Sequence, residues 1–361
     1  IAATANGGGG TLLGPAANYR QRHAGGNAEM LRLMKAAVAV PSRIAHQTTS
    51  SASTRLPRRA VEAQSMLSQV QQAACMAEET RWYRHGATRL DQPTLGALYW
   101  QLNGVWTAPS WASSDADGSR RLLHGAMAAI FGGPSLRIVG GEGGGGGVAA
   151  NATLDVYVPN DAPFALRNVR VAIDVVCFHM DSQQRSPSWT VTKDAATVTL
   201  PVVPVVRGAA ATVSWSRLGC GGAGEVGNIE GAMLLALPRL VGGSLGGHAT
   251  GTSAVYSAAS AAWPTLASLP LPPKPNCTVA VTGVALGSVG FLLRCDAPAH
   301  YVRLQRRPGA EALPPGTFTP DGFTALPGVP VRVTFTPLVE EEEEEEPQSG
   351  RISRRTSVWR R

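Results

Sequence analysis

GALYWQLNGVWTAPSWASSDADGSRRLLHGAMAAIF, residues 96–131, holds three local patterns in one run. Gly96 to Leu102 is a short apolar stretch of strand length, and the next residues are rich in Ser, Asp and Trp. Leu122, Leu123, Met127 and Ile130 then recur at helical spacing, with Asp117 or Ser119 placed to cap the helix. Strand, loop and helix in that order form the repeating unit of a (β/α)8 TIM barrel, which gathers ligand-contacting groups at the carboxyl ends of its strands. Trp100, Trp106 and Trp111 crowd that end, and tryptophan faces suit the apolar faces of sugar rings.

Upstream, Val61, Leu67, Val70, Ala74 and Ala77 recur along one face of a long helix that Tyr83 prolongs, the pattern of an outer barrel helix. Residues 1–18 are Gly/Ala-rich without periodicity and are expected to be flexible, and residues 42–57 read as a polar Ser/Thr loop. Past the Gly143–Gly147 run the period changes from helical to alternating. Leu154, Val156 and Val158 alternate with polar residues, as do Val169, Val171, Ile173, Val175 and Cys177. Further strand-like runs fall at 188–193, 196–203, 211–218 and 232–237, and many short strands with Gly and Pro turns read as a β-sandwich. The proline-dense segment 264–275 marks a second linker. A smaller sandwich follows at 276–338, with Val279, Val281, Phe291, Leu293, Val302, Leu304, Val331 and Val333 alternating inward, Phe318, Phe323 and Phe335 in or near its core, and a Pro-Asp-Gly turn at 320–322. The acidic block Glu340–Glu346 repels itself, so 339–361 is expected to be a disordered tail.

The chain has 361 residues, 32 Lys+Arg against 25 Asp+Glu, and a net charge of +7. The basic excess lies in the first 137 residues, but the arginines are scattered rather than striped and carry no nucleic-acid module signature, so no nucleic-acid partner is expected. The longest weakly polar runs are broken well short of the roughly 20 apolar residues that a bilayer span needs, and no membrane association is expected. The five cysteines show no CxxC spacing, which argues against a zinc site; no metal or cofactor is expected. Cys277 and Cys295 lie in neighbouring strand-like runs and either pair, in an oxidising compartment, or remain buried thiols. Asn151-Ala-Thr153 and Asn276-Cys-Thr278 are glycosylation sequons and fit a secretory route. No phosphate loop and no G-x-S-x-G elbow is present.

Four segments carry a resemblance. LYWQLN at 98–103 with Trp106, APSW and LLH is similar to the eighth barrel unit of β-mannosidases of glycoside hydrolase family 2. YRQRHAGGNAEMLRL at 19–33 is similar to the segment after the seventh strand, with Arg22 where a histidine is usual. AVEAQSMLSQVQQAACMAEETRWYRH at 60–85 resembles the seventh outer helix, and GTFTPDGFTALPG at 316–328 resembles a turn of the last domain. Their joint order is more specific than any one of them.

The resemblance implies the C-terminal remnant of a (β/α)8 barrel at 1–137, followed by immunoglobulin-like β-sandwiches at 148–263 and 276–338. It implies a retaining β-mannosidase acting on terminal β-linked mannose of oligosaccharides, lysosomal, vacuolar or secreted. Retention requires two carboxyl groups about 5 Å apart; in the family both are glutamates at the ends of the fourth and seventh strands, which this alignment places upstream of Tyr19. Glu29, Glu62, Glu78 and Glu79 match no catalytic motif and read as helix-surface charges. No catalytic residue is therefore expected in this chain, which would need the missing N-terminal part of its polypeptide for activity. Substrate contacts are expected from Trp100, Gln101, Asn103, Trp106 and His23, with Trp100 as an aromatic wall or a core tryptophan, and Trp106 and Trp111 as sugar contacts or domain packing. Gly104 replaces the family's usual aspartate, and His124 reads as a packed helix residue. The rival reading is a non-catalytic carbohydrate-binding or protein-interaction module built on the sandwiches.

Overall fold

A computed structural model describes residues 20, 26–37, 40, 58–106, 108–133, 135–139, 153–179, 188–218, 233–244, 259–260, 275–285, 287–305 and 314–338. The expectations for His23, Asn151, residues 1–18, the loop at 42–57, the Gly143–Gly147 run, the linker at 264–274 and the tail lie outside the described residues.

Three helices come first: α1 (Gly26–Ala37), α2 (Arg58–His85) and α3 (Leu122–Gly132). The 28 residues of α2 contain neither Gly nor Pro, and basic Arg84 and His85 in its last turn favour the helix dipole. Its packed face runs through Gln64, Val70, Ala73, Ala77, Thr80, Arg81 and Arg84, whereas Tyr83 is 38% exposed. The expected stripe was thus rotated at its end, because Arg81 and Arg84 bury their stems and find partners there. Arg84 pairs with Asp161 at 3.0 Å and lies 4.9 Å from the Phe131 ring. In α3 the expected stripe is buried: Leu122, Leu123, Met127 and Ile130 are at most 2% exposed. Its cap differs. Arg121 is the N-cap and makes no side-chain cap bond, while Asp117 accepts from the backbone N–H of Ser119 at 2.9 Å and from its hydroxyl inside the preceding turn.

Among the described residues the first sandwich has seven strands: β1 (Ser135–Val139), β2 (Thr153–Val158), β3 (Leu166–His179), β4 (Ser188–Val203), β5 (Ala209–Ser214), β6 (Met233–Ser244) and β7 (Ala259–Ser260). Its two antiparallel sheets run β1-β2-β5 and β4-β3-β6-β7. Ser135 and Leu136, grouped with the helical part in the sequence, belong by pairing to this sheet, opposite Tyr157 and Val156. The two runs expected at 188–193 and 196–203 are one strand. The irregularity between them lies opposite Asp174, where Asp194 takes a positive φ of 52° and its N–H donates to Asp174 at 2.9 Å. The run expected to end at 218 leaves the sheet after Ser214 as a 3-10 turn.

Between the sheets lie Leu154 and Val156 of β2, Val169, Val171, Ile173 and Val175 of β3, and Val213 of β5. The other face of β3 is covered as well: Val176 and Phe178 pack with Leu235, Leu237 and Leu326, the last from the second sandwich. A strand buried on both faces reads as a continuous apolar run, as VAIDVVCF does. Its one charge, Asp174, is paired with Arg239 at 3.0 Å, and this hydrogen bond raises the guanidinium further above its ordinary range.

The second sandwich consists of β8 (Cys277–Ala285), β9 (Ser288–Cys295), β10 (Ala299–Val302), β11 (Gly316–Thr319), β12 (Phe323–Ala325) and β13 (Val331–Pro337). A four-stranded sheet, β11-β13-β9-β8, faces the two-stranded β10-β12. Phe323, Phe335, Leu293, Val331 and Val333 fill the space between, with Phe318 partly buried against them. Val279 and Val281 do not join this core; they are 48% and 66% exposed, because β8 is an edge strand that overhangs the smaller facing sheet. Gly322 has a φ of +68°, which the turn at 320–322 requires and a glycine supplies.

This sandwich docks on the helices. Tyr301 packs with Met34, Val70, Ala73 and Leu122. Arg303 binds Gln69 at 3.1 Å, the Arg120 carbonyl, and Asp321 at 3.3 Å. At Gly125 an added Cβ would collide with the Asp321 carbonyl, so α3 approaches this turn by lacking a side chain.

One expectation fails outright. Gly96–Leu102 forms no strand, with bends at Trp100 and Leu102, and is largely exposed: Leu98 is 102% and Leu102 57% exposed. A strand needs neighbours to accept and donate its backbone hydrogen bonds, and among the described residues only Gln101 and Leu102, at the end of the segment, find them, in Trp111, Ser113 and Ser114. No described helix is long and apolar enough to cross a membrane.

Candidate functional site

The segment 99–121 is held by hydrogen bonds to its own backbone and to α2 and α3. Ser113, fully buried, donates its N–H to the carbonyls of Gln101 at 2.9 Å and Leu102 at 3.1 Å, and its hydroxyl lies 2.8 Å from Leu102 O, 3.0 Å from the Tyr99 hydroxyl and 3.3 Å from His124 Nδ1. Gly104 N–H reaches Ser114 O at 2.9 Å, and Gln101 N–H reaches Trp111 O at 3.4 Å. The loop therefore folds back so that residues 101–104 run beside 111–114. Gly104 is buried there, 3.8 Å (as an added Cβ) from the Ser114 carbonyl. That is an ordinary contact distance, and nothing in the described structure explains a glycine where the resemblance leads one to expect aspartate.

Arg121 clamps the second half of the loop. Its guanidinium donates to Ser110 O at 3.0 Å and Ala108 O at 2.7 Å and pairs with Asp115, while Gln72 of α2 donates to Ser110 O at 3.2 Å. Sequence reasoning missed Arg121 and Ser113. Their only signals are an arginine directly before LLH and a serine among many, and neither residue type announces a buried donor. In the turn at 115–119, burial opposes ionisation of Asp117, but the Ser119 hydrogen bonds outweigh it and hold the carboxyl below the usual carboxylate range.

On this scaffold Trp100, Trp106 and Trp111 are 68%, 40% and 65% exposed. Trp100 is thus not a core residue of the described structure. Gln101 donates its side-chain amide to Asn103 O at 2.8 Å, and Asn103 itself is exposed. The Arg20 guanidinium stands 6.0 Å from the Trp106 ring centre, at the limit of cation–π contact. Large exposed aromatics on a backbone this well pinned offer flat apolar faces with amide groups between them, the composition that a sugar-binding wall needs.

The glutamates lie on the helices. Glu29 is 3.8 Å from Arg32, Glu78 pairs with Arg81, and Glu62 and Glu79 are exposed on α2. None is on the tryptophan loop. Among the described residues no group of three or more His, Cys, Asp or Glu is arranged to hold a metal. Cys277 and Cys295 are directly opposite in the β8–β9 register and are disulfide-bonded, with Cα atoms 4.1 Å apart; Cys177 is disulfide-bonded too, and Cys75 is free and exposed.

No protein-family model matches the chain. A β-mannosidase of Rattus norvegicus is 38% identical over 109 residues, 29% of this chain and 11% of that protein. A "probable beta-mannosidase" of Caenorhabditis elegans is 26% identical over 183 residues, 45% of this chain and 20% of its own length. Among solved structures, the β-D-mannosidase of Dictyoglomus thermophilum superposes with a TM-score of 0.54 over 89% of this chain and 31% of its own, at 12% identity. The chain therefore spans between about a tenth and a third of these relatives. It is glycoside-hydrolase-like, with β-sandwich architecture. More narrowly, part of its sequence is similar to β-mannosidases, and its fold to that of a β-D-mannosidase.

Proposed function

We propose that this chain is the C-terminal part of a retaining β-mannosidase: the last two units of a TIM barrel followed by two immunoglobulin-like sandwiches. The loop at 100–111 forms one wall of the subsite for a terminal non-reducing β-D-mannose. The observation that carries this reading is the exposure of Trp100, Trp106 and Trp111 on a loop pinned by Ser113 and Arg121. A tryptophan held so firmly with its ring outside the core is positioned for a ligand or for a neighbouring part of the same barrel. Trp100 serves as the stacking face, Gln101 and Asn103 supply amide groups to sugar hydroxyls, and Trp106 borders the wall, with His23 assigned to the same subsite by the resemblance alone. The exposed segment 96–102 becomes the eighth barrel strand once the strands of the missing N-terminal part stand beside it.

Hydrolysis with retention proceeds through a covalent glycosyl-enzyme formed by one carboxylate while a second gives and then takes the proton. Both carboxylates belong to the preceding part of the polypeptide, so residues 1–361 alone are inactive. The two disulfides support a secretory route to a lysosome, a vacuole or the exterior. In the complete enzyme, Trp100→Ala should lower kcat/KM for an aryl β-mannoside by on the order of 5- to 150-fold, the loss of about 1 to 3 kcal/mol of transition-state stacking, with the fold retained by circular dichroism. Unchanged kinetics would remove Trp100 from the subsite, and turnover by residues 1–361 alone would overturn the assignment of both carboxylates.

A further inference from the structure

We propose that Asn276 carries an N-linked glycan, attached before Cys277 and Cys295 pair, which thereafter guards the free edge of β8. This rests on the secretory route proposed above. Asn276 is exposed immediately before β8, and its side-chain amide has no hydrogen-bond partner among the described residues; the same holds for the exposed Thr278 hydroxyl two positions on. Alternation along the strand puts Asn276 and Thr278 on the outward face, and Cys277 points inward to the buried Cys295. Both polar groups of the sequon are thus presented to solvent by the strand pleat.

The order of events follows from the backbone. In the folded state Asn276 N–H donates to Asp296 Oδ1 at 2.8 Å, its carbonyl accepts from Asp296 N–H at 3.1 Å, and the next residue is cross-linked to β9. A transferase must bend the acceptor segment into its own cleft, and this segment is tied on three sides. Transfer therefore precedes closure. In it, Asn276 Nδ2 bonds to the anomeric carbon of an oligosaccharide carried on a polyprenyl pyrophosphate. The sugar–phosphate bond breaks, and the lipid pyrophosphate leaves with the one proton that the amide gives up. The thiols then lose two protons and two electrons to a protein disulfide, which becomes a dithiol.

The use of such a glycan lies at the sheet edge. β8 is the outer strand of its sheet, nine residues long, without a charge or a proline, and Val279, Val281 and Val284 are 48%, 66% and 72% exposed. Natural edge strands are blunted by charge, proline, bulges or cover; among the described residues β8 has only a bulge near Thr282. A hydrated glycan at its first residue obstructs pairing with a second chain.

The test is expression of the whole chain behind a secretion signal in eukaryotic cells, in an Asn151→Gln background, followed by peptide mapping without reduction. The expected result is one glycan at Asn276 on molecules that also hold the Cys277–Cys295 bridge, lost in Thr278→Ala. A bare Asn276 in the wild type with a glycan in Cys295→Ser would show that closure comes first and overturn the proposal. A bare Asn276 in both, with the chain secreted, would overturn it while leaving the secretory reading intact. Enzymatic removal of the glycan should at least double the dimer fraction in sedimentation; no change would overturn the guarding role.

Discussion

Two stretches of this chain read alike and end in opposite surroundings. VAIDVVCF at 171–178 and GALYWQL at 96–102 are both short apolar runs bounded by polar or turn-forming residues. The first became the middle of β3, hydrogen-bonded to β4 and β6, with one face against the sandwich core and the other under Leu326. The second leaves Leu98 fully exposed and has no strand beside it among the described residues. Apolar content creates the tendency to bury, but burial of a strand requires partners for its backbone on both sides and a cover for each face. β3 finds all four within the described residues.

The contrast is sharpest where β3 is most enclosed. Phe178 is completely buried between Leu235, Leu237 and Leu326, so Phe178→Ala should cost roughly 3 to 5 kcal/mol through lost burial and a residual cavity. Urea unfolding of the whole chain measures it, and an unchanged midpoint would mean that the outer face of this sheet is not covered in solution.

The docked faces can also be tested by pH. His300 lies against Thr324 at 2.6 Å, and burial together with the nearby Arg81 charge pushes its imidazole down to about 4 from an ordinary 6.5. The unfolded chain thus binds the extra proton between these values. Stability is full above pH 6.5 and falls as pH drops towards 4, by up to about 3 kcal/mol. His300→Gln, which cannot titrate, should flatten that part of the pH dependence of the urea midpoint. If it leaves the slope unchanged, the imidazole is solvated and the contact between α2 and the second sandwich is looser than described.

The smallest expected effect belongs to the other half of the comparison. Leu98→Ser should change the urea midpoint of this chain by no more than about 0.5 kcal/mol, because the side chain loses no burial. In the complete enzyme the same change should be clearly destabilising if 96–102 becomes a barrel strand. A large effect in the isolated chain would show that the segment is covered there as well.

Much was legible in the chain itself, because it depends on neighbours a few residues away. The helical stripe Leu122–Ile130, the alternation of β2 and β3, the Pro-Asp-Gly turn and the tryptophan-rich loop follow from periodicity and residue chemistry. What needed the tertiary structure involves partners far apart in sequence: the merging of two runs into β4 opposite Asp174, the overhang of β8, Arg121 holding the loop carbonyls, and Arg303 joining Gln69 to Asp321. The sequence alone determined which segments seek burial and where tryptophans and amides gather beside one another. Only the tertiary structure decided which of those segments obtain cover, since the cover of a strand is supplied by residues its own local pattern does not contain.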